Sequence, residues 1–240
     1  MKKGLLFVLT ILSLNAFAQA FEAFNFTGLA NANGWTTHSG TAGQILAVTT
    51  PSGSGNSLSY PGLAASVGNR IELNSTWSED INKPIAIPGT TGYFSFLLNV
   101  LNTTGLTAAG NYFIGFAASA GATNVTIFFP RLHIKLGTTP NTFQLGILNT
   151  SGGTVSISYA PTEYPLNSTL FVVAKATATA PGSPITASLW VNPIPGAAEP
   201  AAAVTNSSGT STWATAGIQS IYLRQAAGTG NYEIDEIRAG

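Results

Sequence analysis

The sequence predicts an all-β protein: a two-sheet antiparallel jelly-roll sandwich. Three observations carry that reading. Short apolar runs alternate with Gly, Pro, Asn and Ser at roughly 8–12-residue spacing, the rhythm of strands and turns. No long window repeats at the 3.6-residue helical period. The 240 residues are 45% hydrophobic without a break in composition, which suits a single β domain able to bury a sizeable core.

Residues 1–20 are set apart. Lys2 and Lys3 precede an apolar run from Gly4 to Leu14, and Ala16-Phe17-Ala18 supplies small residues before a cut at Ala18 or Ala20. This is the pattern of a secretory signal peptide, so the folded domain is expected over 21–240, secreted or at the cell surface. Lys and Arg number nine, as do Asp and Glu; removing Lys2 and Lys3 leaves seven against nine. Charged residues are only 8%, with no basic patch, which argues against a nucleic-acid partner. No cysteine occurs, so the fold stands without disulfides. No later apolar run reaches the ~20 residues of a membrane-spanning helix.

Taken in order, Phe21–Thr27 opens the domain, and Asn33-Gly34 makes a turn before Trp35. Gln44–Thr49 and Ser57–Tyr60 are short strands around the loop Pro51-Ser52-Gly53-Ser54-Gly55, and Arg70–Leu73 is another. Gly92–Leu101 is the strongest, with Phe94, Phe96, Leu98 and Val100 on one face. Asn111–Ala118 follows, then Val125–Leu136, in which Pro130 marks a bulge or break. Thr142–Leu148 with Val155–Tyr159, and Thr169–Thr177 with Ile185–Val191, read as hairpins. Asn192–Gly209 is the longest loop, with a helical turn expected at Ala197–Val204. Ile218–Gln225 and Asn231–Arg238 close the chain as a hairpin over a glycine-bearing turn.

The ordered set Phe21-Glu22-Ala23-Phe24-Asn25-Phe26, Ala32-Asn33-Gly34-Trp35, Tyr93–Val100, Ser188–Pro193, Ile221–Gln225 and Ile234–Arg238 resembles the concanavalin A-like, laminin-G-like jelly-roll modules of secreted and surface-anchored bacterial proteins. The resemblance implies that the first and last strands pair. It also implies a choice among lectins, adhesion modules and glycosidases, since the fold hosts all of them.

Candidate chemistry is sparse. Glu233 and Asp235 share a strand face as retaining glycosidase carboxylates do, but Ile237 takes the next position and Glu236 points away. The resemblance implies a possible structural calcium held by Glu22 and Asp235, with Glu79-Asp80 a second acidic spot in a loop. The competing reading makes Asp235 a backbone staple and pairs Glu236 with Arg224 or Arg238. Sugar rings stack on flat aromatics, so Trp35, Trp77 and Trp213 beside turns, and Trp190 with Asn192 on one strand face, form the candidate glycan platform, although each tryptophan taken singly reads more readily as a cap on the sandwich core. His38, in a Thr-Ser-Gly loop, and His133, within a strand, read as ordinary residues, and no nucleophile or zinc motif is present. The expected function is therefore a non-catalytic extracellular binding or adhesion module for a glycan or other extracellular polymer. A structural or protein-binding module is the alternative, and a glycoside hydrolase the third reading.

Overall fold

The computed structural model describes residues 20–48, 56–152 and 156–240. The segment expected to be a signal peptide (apart from Ala20), the loop at 51–55 and part of the turn at 149–153 therefore lie outside the described residues. The elements run β1 (Ala20–Glu22), β2 (Gly28–Leu29), a 3-10 turn at Ala30–Ala32, β3 (Thr36–Ser39), β4 (Leu46–Val48), β5 (Arg70–Asn74) and β6 (Asp80–Ile87). Next come β7 (Thr91–Asn102), β8 (Asn111–Ala117), β9 (Phe128–Leu136), β10 (Thr142–Leu148), β11 (Ser158–Tyr159) and β12 (Tyr164–Pro165). The chain ends with β13 (Leu170–Thr177), β14 (Thr186–Val191), β15 (Val204–Asn206), β16 (Ile218–Arg224) and β17 (Asn231–Ala239).

They form two antiparallel sheets. Sheet I has the order β15-β14-β13-β7-β17-β5-β4-β2, with β1 also on β17. Sheet II has the order β11-β10-β9-β8-β16-β6-β3, with β12 also on β10. The first and last strands do pair, Phe21 opposite Arg238 and Glu22 opposite Ile237.

The core lies between the sheets. Phe94, Phe96, Leu98 and Val100 point inward from β7, as their alternation demands. Phe94 meets Phe116 edge-on at 4.8 Å, and Phe113 meets Tyr232 at 5.1 Å, so β7 and β17 are joined to β8 across the sandwich. Each such side chain contributes about 1.5–3 kcal/mol by leaving water.

Four expectations are corrected. Ile218–Gln225 and Asn231–Arg238 are not a hairpin: β16 pairs with β6 and β8, whereas β17 pairs with β1, β5 and β7. The intervening residues cross from one sheet to the other, held by Thr229 Oγ1 on the Ala226 carbonyl and Tyr232 Oη on the Arg224 carbonyl. The apolar faces of the two strands, Ile221 and Leu223 against Tyr232 and Ile234, meet in one core instead of lying side by side. Ser57–Tyr60 is not a strand. It belongs to a segment without regular pairing, tied by its Leu58 amide to Asp235. Ala197–Val204 has no helical turn; Val204 instead begins β15, which pairs with β14. Glu79-Asp80 is not simply a loop, because Asp80 opens the eight-residue β6, and His38 sits in β3. Pro84 hid β6 from the sequence reading; it faces Ser220 beside a register shift in the ladder.

Candidate functional site

The tryptophans do not assemble into a platform. Trp35 and Trp213 are core residues, Trp35 stacked on Phe24 and Trp213 tilted against Phe129. Trp190 stands on the outer face of sheet I, but it is buried to 5% exposure, and its Nε1 donates to the Pro200 carbonyl. Asn192 bends the chain at φ 56° and accepts the Phe171 amide, closing the end of β14. Trp77 alone of the four reaches 36% exposure, on the connection from β5 to β6.

The acidic candidates are also taken up. Glu22 accepts the Phe24 amide and Trp35 Nε1, and pairs with Lys83. Asp235 accepts the amides of Leu58 and Glu236. Burial pushes its carboxyl up to about 8, more than those two hydrogen bonds lower it. Glu22 faces Ile237, and the two carboxylates have separate partners. Among the described residues no group of three or more His, Cys, Asp or Glu is placed to hold a metal. Glu233 forms a 2.6 Å ion pair with Arg70 and accepts Asn99 Nδ2, while Glu236 meets Arg238 at 2.7 Å.

Clefts do lie over the outer face of sheet I. One of about 490 Å³ is bounded by Tyr93, Phe171, Val173 and Arg238, and one of about 280 Å³ by Trp190, Ile194 and Glu199. Their polar groups satisfy one another: Tyr93 Oη and Lys175 both bind Glu199, and Arg238 binds Glu236.

The outer face of sheet II is different. Strands β8, β9, β16 and β6 bring Tyr112, Arg131, His133, Tyr222, Arg224 and Asp80 together. The Tyr112 ring is the hub. Arg224 Cζ lies 4.1 Å from its centroid, Arg131 Cζ 4.8 Å, the His133 ring 5.7 Å and the Tyr222 ring 6.1 Å. Cations so placed are attracted by the ring face. Phe128 packs on Tyr222 at 4.6 Å and on His38 at 6.4 Å. Gly115 makes the arrangement possible. A Cβ there would meet the Pro130 carbonyl at 2.1 Å and the Tyr222 hydroxyl at 2.8 Å, so only glycine lets the Tyr222 ring cross β8.

Polar satisfaction separates this face from the rest. Among the described residues nine buried side-chain polar atoms lack a partner in the protein, and five belong to this cluster: Asp80 Oδ1, Arg131 Nε, both ring nitrogens of His133, and the Tyr222 hydroxyl. Buried polar atoms normally find a partner, in the protein, in ordered water or in a ligand. The surrounding groups are tuned by the same burial. His133 is pushed down to about 3 by desolvation, with Arg131 and Arg224 adding to it, so its imidazole is neutral at ordinary pH. Asp80 is pushed up to about 6 by burial, partly offset by Arg224, whose Nε lies 3.7 Å away. Tyr222 stays a neutral hydroxyl, its pKa raised by burial. The β8–β9 loop banks one side: Gly121 exchanges two hydrogen bonds with the Asn82 amide, and Ser220 Oγ donates to the Ser119 carbonyl.

Sequence reasoning passed over this cluster, although one signal was there. Arg131, His133 and Lys135 alternate with Leu132 and Ile134, as Ser220, Tyr222 and Arg224 alternate with Ile221 and Leu223. Both runs mark strands with one core face and one chemically equipped face.

No known protein family matches the sequence, and no curated protein does. Solved structures do resemble it. An alginate lyase variant in complex with an alginate trisaccharide superposes with a TM-score of 0.54 at 10% identity, covering 92% of this chain and 97% of that one. A second variant, with a tetrasaccharide, gives 0.53 at 11%, covering 92% and 96%. The fold is a two-sheet antiparallel jelly-roll sandwich. The metal-free exoplasmic/lumenal domain of VIP36 superposes more loosely, with a TM-score of 0.42 at 10% identity over 92% of this chain and 90% of that one. Identities this low speak for the jelly roll alone, so function rests on the residues themselves.

Proposed function

We propose that this chain is an exported carbohydrate-binding module whose ligand lies along the outer face of sheet II. One observation carries the reading: five partnerless buried polar atoms gather around an aromatic hub, Tyr112, that is itself only half-buried. Sugars present apolar ring faces and dense hydroxyls, and so pair with aromatic surfaces edged by donors and acceptors. Phe128, together with Tyr112 and the guanidiniums held over its ring, supplies the surface. Arg131 supplies a donor at the rim, and His133 and Tyr222 supply polar groups on the floor beneath. That alginate oligosaccharides are bound to two variants of one alginate lyase of similar fold agrees with a glycan as the class of ligand.

Hydrolysis by paired carboxylates draws no support from the arrangement. Asp80 is the cluster's carboxylate, and its neighbour Glu79 is engaged by Thr37 and the Gln44 and Ile45 amides. Glu233 and Asp235 stand on the other sheet, bound as described.

The test is a panel of polysaccharides and glycans presented to the chain and to two variants checked for folding by circular dichroism. Tyr112→Ala is expected to weaken binding at least ~10-fold, equivalent to about 1.4 kcal/mol. Trp190→Ala, on the opposite face, is expected to leave it unchanged. The reverse pattern would move the site to sheet I, and no binding across the panel would overturn the reading.

A further inference from the structure

The ion pairs of this molecule leave a residue of positive charge in one place. Seven Lys and Arg fall among the described residues. Five are in salt bridges: Arg70 with Glu233, Lys83 with Glu22, Lys175 with Glu199, Arg224 with Asp80, and Arg238 with Glu236. Arg131 and Lys135, the remaining two, form no ion pair among the described residues. Both stand on the outer face of β9, four residues apart, with His133 between them. Each lies instead over an aromatic ring, Arg131 on Tyr112 at 4.8 Å and Lys135 on Tyr159 at 4.3 Å.

The neighbourhood offers little to neutralise them. The Arg224–Asp80 contact is long at 3.7 Å, and Arg224 spends its Nη1 on Asn111 Oδ1 and the Tyr112 carbonyl. His133 is neutral and brings no charge of either sign. Glu163, on the loop before β12, stays ionised on hydrogen bonds from the Thr138 and Thr139 amides and the Thr138 and Thr142 hydroxyls, but makes no ion pair with either cation. Although Asp and Glu outnumber Lys and Arg nine to seven among the described residues, two cations without an ion pair thus stand in line on the face that also holds the partnerless polar atoms.

We infer that the ligand of this face is a linear glycan bearing carboxylate groups, laid along β9 so that successive acidic groups meet Arg131 and Lys135. The inference rests on the carbohydrate reading above and adds the ligand's charge and length. Four strand residues span roughly 13 Å at ~3.3 Å each, which calls for several linked sugar rings and not a single monosaccharide. Guanidinium binds carboxylate in two-pronged fashion, while an ammonium acts as a point charge, so Arg131 fixes orientation and Lys135 adds attraction. The rings beneath hold the two cations in place along β9.

The experiment compares polygalacturonate with its fully methyl-esterified form, two polymers of one backbone that differ in charge, on the unaltered chain. Dextran sulfate serves as a flexible polyanion of different backbone. The expected result is binding of polygalacturonate at least ~10-fold tighter than of the ester, weakening as salt is raised. Arg131→Gln with Lys135→Gln should abolish that preference. Equal binding of both polymers would overturn the acidic-ligand inference and leave the carbohydrate reading standing. Binding of neither would overturn the acidic-ligand inference, and the carbohydrate reading would then be decided by the wider panel. Dextran sulfate binding as tightly as polygalacturonate, and unaffected by Tyr112→Ala, would also overturn it by showing charge attraction alone.

Discussion

Gly115 shows how much of this site depends on one residue. It lies opposite Arg131 on one side and Tyr222 on the other, and its missing side chain is where the Tyr222 ring passes. Gly115→Ala would drive a methyl group into the Pro130 carbonyl, a backbone atom that cannot swing aside. Overpacking of this kind costs about 1–3 kcal/mol. We expect a urea midpoint lowered accordingly and glycan affinity lost together with it, because Tyr222 must leave the floor of the site. An unchanged midpoint in urea titration would show that the ring does not cross β8 as described. Nothing in the one-dimensional sequence marks this glycine among 26. Its role comes from three strands meeting at one register, which alternation cannot reveal.

At the scale of elements, β17 and the 56–68 segment form a second unit built on buried charge. The Leu58 amide donates to Asp235, the Val67 amide to Glu236, and Arg70 binds both Glu233 and the Asn56 carbonyl. Glu236 takes φ 52° at a register shift between β17 and β7, which lets adjacent residues both turn to that segment. The Asp235 carboxyl has a folded pKa of about 8 against an ordinary 3.8. The folded state therefore holds its proton more tightly than the unfolded chain. This contribution to stability is complete below about 3.8 and lost as pH rises toward about 8. Asp235→Asn, neutral at every pH, should flatten that decline between pH 4 and 8 in thermal melts while keeping an acceptor for one of the two amides. A wild-type slope preserved in the variant would contradict the assignment. The sequence exposed the Glu233–Glu236 run and its alternation, and the backbone-staple reading of Asp235 was among those it offered. What it could not expose was the partner, because Leu58 is 177 residues away in a segment without strand periodicity.

For the whole molecule, the fold was largely legible and the site was not. Gly92–Leu101, Thr169–Thr177 and Ile185–Val191 repeat with period two and became β7, β13 and β14, neighbours in sheet I as hairpin and strand logic predicts. The closing strands misled, since two adjacent alternating runs look alike whether they pair edge to edge or stack across a core; only the sheet order tells them apart. Tryptophan position left two readings open, platform or core cap, and the second holds for Trp35 and Trp213. Residues beside turns can cap the interior, as Trp35 and Trp213 do, so proximity to a loop says little about exposure. The two sheets end up with different outer faces: sheet I is largely satisfied within the protein, with Asn56 Oδ1 and Asn99 Oδ1 as exceptions, while sheet II is aromatic, cationic and holds more of the partnerless atoms. The measurement that addresses this contrast most directly is side-chain NMR of the labelled chain during titration with polygalacturonate. The account predicts saturating shifts of the Arg131 Nε–H, the His133 ring and the Tyr112 ring, with Trp190 and Arg238 on the other face undisturbed. Shifts confined to Trp190, Phe171 and Arg238 would place the ligand on sheet I and contradict it.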